Sequence, residues 1–257
     1  MKNQIIHISV EVADRYAYDY FINICGFRNK EGDKYKRMLD RGMRIRERIA
    51  DKIDMKAVVS SYDGSIISGN KAKIGDTVFV CNAFEQLNQE SIEIIYAYLF
   101  TAGSLELDDD DPVIDQLYAD IWGTAYTDAG LEVLKHRLKA EFDKSRSGIS
   151  GDGRNPGRNG NDGKDETKDG KEAVILDPFG PGFYGMDVDQ IGLFFEVLDG
   201  DKIGVKARTN SLILPLKSCA GFFVIVNDDT KLPSADCKSC RADHRGCEFC
   251  QAVIKRK

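Results

Sequence analysis

Apolar residues recur at helical spacing in two N-terminal stretches, which predicts helices over residues 11–25 and 33–53. The second is heavily charged, KYKRMLDRGMRIRERIADKI, and its apolar stripe is modest: Leu39, Met43, Ile45 and Ile49. The spacing then shortens. KAVVSSYDGSIIS and KIGDTVFVC read as short β segments around the turn residues Asp63 and Gly64. QESIEIIYAYLFTAG reads as a buried helix that stops near Gly103. A long amphipathic helix is predicted from Pro112 to about Phe142, with apolar residues at positions 114, 117, 118, 121, 125, 129, 134 and 138. The run Asp108 to Asp111 and Pro112 suit its start, because carboxylates stabilise the positive end of a helix and proline fits the first turn. Farther on, VDQIGLFFEVL is helical, whereas KIGVKA, SLILP and CAGFFVIV are strand-like. Helices first and strands mostly later, without regular alternation, predict the α+β class.

One segment follows neither pattern. Residues 143–172 hold seven Gly, seven acidic and seven basic side chains, with Ile149 as the only large aliphatic. Such a stretch cannot bury enough apolar surface to offset its ordering entropy, which predicts a disordered insertion. Elsewhere the composition is that of a soluble domain, 42% hydrophobic and 30% charged. The net charge of -6 argues against nucleic acid as a partner. No run approaches the roughly 18 apolar residues of a membrane span. The start, MKNQIIHISVEVADRYAYDYF, lacks the basic and apolar regions of a secretory signal, so a cytoplasmic protein with reduced thiols is expected.

The stretch FGPGFYGM, residues 179–186, is too rich in proline and glycine for a helix or central strand and reads as a loop of close backbone approach. Together with the helix ending FFEVL and the run IGVKARTNSLILPLKSCAGFFVI, it resembles the activation domain of cobalamin-dependent methionine synthase. Pro181, Gly182 and Phe183, followed by Tyr184, stand where that family has its P-G-Y loop. Thr209, Asn210 and Ser211 stand at its T-E-S, and Pro215, Ser218 and Gly221 match the next strand. Upstream, residues 119–125, ADIWGTA, resemble the family helix A-D-R-L-A-E-A and match its aspartate with Asp120. The resemblance covers roughly residues 85–226 without the insertion.

It implies helices packed on a twisted antiparallel sheet, over residues 1–232 with the insertion at 143–172. It also implies an accessory protein that reactivates a corrinoid methyltransferase, by reductive remethylation with S-adenosylmethionine. The cobalamin would be presented by that partner protein, since no cobalamin-binding D-x-H-x-x-G is found here, and reduction would require an electron donor. Pro181, Gly182, Phe183, Tyr184 and Asp120 are the implied S-adenosylmethionine residues, with docking near Phe183 and Tyr184. The chain departs from the pattern at two places. The family arginine of R-x-x-P-G-Y, which grips a carboxylate through a planar fork, stands here as Pro178. The family glutamate of the helix stands as Thr124. Arg208 is the candidate replacement cation, a surface arginine being its plainer reading. The alternative function is a binding module for a corrinoid protein that does not bind S-adenosylmethionine.

Four of seven cysteines fall in the tail, residues 233–257, as CKSCRADHRGCEFC. Two C-x-x-C hairpins with six residues between them can bring the thiolates of Cys237, Cys240, Cys247 and Cys250 onto one metal site. Zinc suits paired knuckles, a [4Fe-4S] cluster uses the same four thiolates, and both stay open. His244 is a spectator or a substitute ligand. The remaining cysteines, Cys25, Cys81 and Cys219, read as small buried hydrophobes, with thiol activation of Cys219 by Lys217 as the alternative. His7 and His136 read as surface or packing residues, and Trp122 as core or a corrin contact.

Overall fold

The computed structural model describes residues 1–149, 173–208, 212–228, 230 and 232. In chain order the elements are β1 (Gln4–His7), α1 (Val10–Ile24), α2 (Asp33–Arg48), β2 (Ile53–Tyr62), β3 (Ile67–Ser68), β4 (Lys71–Ile74), β5 (Thr77–Val80) and β6 (Ile92–Gly103). There follow α3 (Val113–Ile149), β7 (Val174–Ile175), α4 (Ile191–Val197), β8 (Lys206–Arg208), β9 (Leu212–Leu214) and β10 (Ser218–Val226). The α+β class is observed. The principal sheet has the order β1-β2-β6-β10-β7 and is antiparallel throughout. Small antiparallel sheets, β3-β4-β5 and β8-β9, lie apart from it.

The stretch 92–103, expected to be a helix, is the central strand β6. Its side chains alternate between two cores. Tyr96, Tyr98, Phe100 and Ala102 join the cluster beneath α1–α3, and Ile95, Ala97 and Leu99 join the cluster on the other face. A strand covered on both faces is apolar at every position, so its run loses the period-2 pattern and mimics a buried helix. β-branched and aromatic side chains are what the pleated surface favours.

Helix α3 is long because it serves as the backstop for everything on its face of the sheet. It packs against α1, α2, β2, β6 and β10. Ala119, Ala125, Ala129 and Gly130 let the neighbours approach closely, and a Cβ at Gly130 would strike the Phe100 ring. The helix continues past the predicted end at Phe142 into the stretch expected to be disordered. Lys139 pairs with Asp143 at 2.6 Å, and the Arg146 guanidinium stands 5.7 Å from the Phe142 ring centre. The rest of the insertion, residues 150–172, lies outside the described residues. The second predicted helix is shorter than expected. α2 closes at Arg48, one short turn follows, and Ile53 already begins β2.

One polar clamp ties three helices together. Arg46 of α2 donates to Asp14 of α1 at 2.6 Å and to the Tyr126 hydroxyl of α3 at 2.9 Å, while Tyr126 donates to Asp14 at 2.6 Å. Beside it, Trp122 stacks on Phe21 with ring centres 4.0 Å apart and donates its indole N–H to the Gly42 carbonyl at 2.8 Å. Trp122 is therefore a core residue. The Asp108–Asp111 run does border the start of α3, and Asp111 reaches back to Arg48 at 2.9 Å. Among the described residues no helix is long and apolar enough to cross a membrane.

Replacing Trp122 by alanine removes both the stack and the hydrogen bond from a site without solvent access. The expected loss is about 3–5 kcal/mol of unfolding free energy, read from urea denaturation.

Candidate functional site

Strand β10 is paired along its whole length with β6, but its other edge is mostly bare of strand. β7 pairs only with Ile225 and Val226, and one further bridge joins Phe179 to Phe222. Beyond that bridge the chain leaves the edge as the loop 180–186. Gly180 sits where a Cβ would collide with the Ala220 carbonyl oxygen, and a Cβ on Gly221 would lie 2.6 Å from the Phe179 oxygen and 2.8 Å from the Tyr98 hydroxyl. These two glycines let the loop, β10 and Tyr98 meet at one point.

The loop is a pair of tight turns. Phe183 N–H donates to the Gly180 carbonyl at 3.0 Å, Met186 N–H to the Phe183 carbonyl at 2.9 Å, and Gly182 N–H to the Met186 carbonyl at 2.9 Å. Gly182 (φ 90°) and Gly185 (φ 72°) take left-handed conformations that L side chains rarely adopt. Asn82 N–H, just after β5, donates to the Tyr184 carbonyl at 2.8 Å and anchors the loop from outside. The turns split the aromatic pair expected to dock together. Phe183 stands 52% exposed, whereas Tyr184 is buried and packs edge-on against Phe179. Tyr184 is thus a packing residue, because its ring is needed to close the core under the loop.

On the other side of the β10 edge, α3 presents Asp120 and Thr124. Lys217, immediately before β10, donates to both, at 2.7 Å to Asp120 and 3.1 Å to Thr124. Its aliphatic stem crosses Gly123, where a Cβ would come within 2.7 Å of it. The Lys217 side chain is largely covered and Asp120 is exposed. Lys217 was not expected to belong to this site. Its interval from Asp120 is too long for any sequence pattern, and only the long-range antiparallel pairing of β10 with β6 brings it back to α3. Arg208 lies on the separate β8–β9 hairpin and makes no bond to Asp120 or to residues 181–184. Pro178 follows Asp177, which pairs with Lys135 of α3 at 2.5 Å.

Between these two walls lies a titratable group of three. The Tyr98 hydroxyl and the Cys219 thiol influence each other's titration, and the charge of Asp128 in α3 raises both. Burial pushes the Cys219 thiol up to about 12, with the Asp128 charge adding to the rise. Activation of this thiol by Lys217 does not occur, since the ammonium is turned to Asp120 and desolvation dominates. Tyr98 is raised well above its ordinary value, chiefly by burial. Asp128 is solvent-accessible, yet the surrounding protein desolvates its carboxyl and raises it above the usual carboxylate value. Tyr98 escaped the sequence reading because the strand carrying it was taken for a helix, and Asp128 because nothing local in the α3 sequence ties it to Cys219.

Cys81 is buried and unreactive in character, its thiol pushed up to about 11 by burial, and Cys25 is half-buried with the same shift. His136 pairs with Glu132 on the exposed face of α3 at 3.1 Å, and His7 is exposed. Among the described residues no group of three or more His, Cys, Asp or Glu is arranged to hold a metal ion. Cys237, Cys240, His244, Cys247 and Cys250 lie outside the described residues, as do Thr209, Asn210 and Ser211.

An antiparallel sheet covered by α1–α3 on one face and by α4 and the β3-β4-β5 sheet on the other, with a glycine-pinned loop at its β10 edge, is an α+β fold. No family model matches the chain, and no curated protein matches it in sequence. Among solved structures it is similar to a crystal structure of the MetH reactivation domain bound to AdoHcy. The TM-score is 0.53 at 14% identity, over 90% of this chain and 80% of that one. The likeness is one of fold.

Asp128 supplies a test of this site's electrostatics. A carboxyl raised above its unfolded value favours folding when protonated, and that advantage fades as pH rises through the folded value. Asp128→Asn is therefore expected to be more stable than the parent at pH 7, with the difference vanishing below about pH 4, near the unfolded carboxylate value. Urea unfolding at both pH values checks it.

Proposed function

We propose that this protein acts in trans as a reactivation partner of a corrinoid-dependent methyltransferase, with S-adenosylmethionine as methyl donor. The observation that carries this reading is the fold likeness to a reactivation domain bound to AdoHcy, which extends over 80% of that domain. The residues at the β10 edge suit the adenosyl portion of such a ligand. Phe183 offers an exposed aromatic face on a loop held by two internal turns, and the backbone of Pro181 and Gly182 stands at the same rim. Asp120 offers a carboxylate to the ligand's ammonium. When bound, S-adenosylmethionine supplies an electrophilic methyl group, and the corrin that accepts it belongs to the partner. This chain's own contribution is to hold the donor at the sheet edge and orient it toward the docked protein.

A second reading rests on Lys217. Its ammonium already engages Asp120 and Thr124, and Pro178 stands at the position of the family's carboxylate-binding arginine. An amino-acid end would have to displace Lys217 from Asp120 or share the pair. Under this reading the chain is a binding module for a corrinoid protein and takes no S-adenosylmethionine.

Calorimetric titration of S-adenosylmethionine into the purified protein separates the two. The first reading expects heat of binding that Phe183→Ala reduces by about tenfold in affinity. Absence of heat at millimolar ligand leaves the binding module.

In the same proposal the tail residues Cys237, Cys240, Cys247 and Cys250 hold one metal site, either zinc or a [4Fe-4S] cluster with a role in electron delivery. Four thiolates at paired C-x-x-C spacing are a sufficient donor set for each. Anaerobic purification with metal analysis and a visible spectrum decides: a broad band that dithionite bleaches marks a cluster, and a colourless protein with one equivalent of zinc marks the structural ion. Protein with neither overturns the metal assignment.

A further inference from the structure

From the Asp120–Lys217 pair a cleft of about 450 Å³ runs toward the start of α3. Its walls are aliphatic: Leu105 and Leu107 from the segment after β6, Val113 and Leu117 from the first turns of α3, and Leu216 from the turn before β10. Three of these face solvent to an unusual degree for aliphatic side chains gathered in one concavity. Val113 is 81% exposed, Leu216 55% and Leu117 51%. Scattered exposed leucines need no explanation, but apolar residues lining a common recess mark an interaction surface.

Glu106, Asp109 and Asp120 line this recess, and Asp108, Asp110, Asp111 and Asp115 stand beside them in the chain. Asp111, Asp115 and Asp120 are neutralised by Arg48, Arg41 and Lys217, at 2.9, 2.6 and 2.7 Å. Glu106, Asp108, Asp109 and Asp110 carry no ion pair among the described residues. Lys52 donates to the Glu106 backbone carbonyl at 2.6 Å and makes no ion pair with its carboxylate. The apolar floor is thus bordered by a surplus of negative charge.

We propose that this cleft is a docking groove for a partner protein segment in which leucine-like anchors are flanked by lysine or arginine. Val113 and Leu117 are four residues apart on one helix face, a spacing that seats an amphipathic helix laid alongside. The unpaired carboxylates at the rim select the basic flank and steer its approach. Charge also decides against the other occupants. An acidic segment would bring like charges together, and so would a second copy of this chain meeting it through the same face. The groove shares Asp120 and Lys217 with the proposed ligand edge, but the inference rests on Val113, Leu117, Leu216, Glu106 and Asp109, which that reading does not use.

The test uses the full chain and two fluorescein-labelled helical peptides, one of repeating Leu and Lys and one of the same pattern with Glu for Lys. Fluorescence anisotropy is expected to report binding of the Lys peptide, weakened by added salt, and none of the Glu peptide. Leu117→Asp, and separately the pair Asp109→Asn with Asp110→Asn, should each weaken binding by about tenfold or more. The carboxylate pair lies on a surface loop, so it remains informative even if Leu117→Asp disturbs α3. Val12→Asp, on an exposed position of α1, should leave binding unchanged. Equal binding of both peptides overturns the proposal, as does binding indifferent to the groove variants. So does a dimer of the parent chain that Leu117→Asp dissolves, since that would assign the groove to a second copy.

Discussion

The burial of β6 on both faces is the constraint from which the remaining architecture follows. A strand whose alternate residues feed two cores must have a cover on each side. Helices α1–α3 supply one, and α4, the β3-β4-β5 sheet and the loop around Tyr184 supply the other. β10 lies against β6 and inherits the same two-sided burial, with Phe223 and Ile225 in one core and Phe222, Val224 and Val226 in the other. Only where β7 has ended does β10 present an edge that backbone can approach, and the loop of residues 180–186 meets it there. The candidate site is therefore a consequence of how the sheet is closed.

Charge gives that edge its character. A covered lysine is held by two hydrogen-bonding side chains, whereas partial desolvation raises the carboxyl of Asp128 above its ordinary value. Lys217 and Asp128 represent these two cases near the start of β10, Lys217 bonded to Asp120 of α3 and Asp128 coupled to Cys219. An arginine fork binds a carboxylate in two parallel bonds, and Lys217 offers a point charge with no such directionality. Any zwitterionic ligand at this edge therefore meets a different geometry from one built around arginine. The thiol and phenol between the two walls are both raised by burial, so their chemistry at neutral pH is that of neutral hydrogen-bonding groups.

Much of this was legible in the sequence. The helices α1, α2, α3 and α4 follow from periodicity, and the loop 179–186 from proline and glycine density, because these signals are local and depend on neighbours within a turn or two. Asp120, Pro181, Gly182 and Phe183 were found by their place in ordered motifs, and the structure puts them on the two walls that flank β10. The misreading of Ile92–Gly103 as a helix has a physical source. Two-sided burial erases the alternation by which strands are recognised, and with it went the position of Tyr98. The direction of Tyr184 was equally beyond reach, since it depends on the left-handed turns at Gly182 and Gly185.

What the sequence by itself determined is therefore the class of fold, the places of α1 to α4 and the loop of residues 179–186. Only the tertiary structure decided which of them meet. Lys217 joins Asp120 across nearly a hundred residues, Arg208 is carried away on its own hairpin, and Val113, Leu117 and Leu216 come together in one groove. Such pairings are set by strand register and helix packing, which are properties of the closed core and leave no mark on the spacing of residues along the chain.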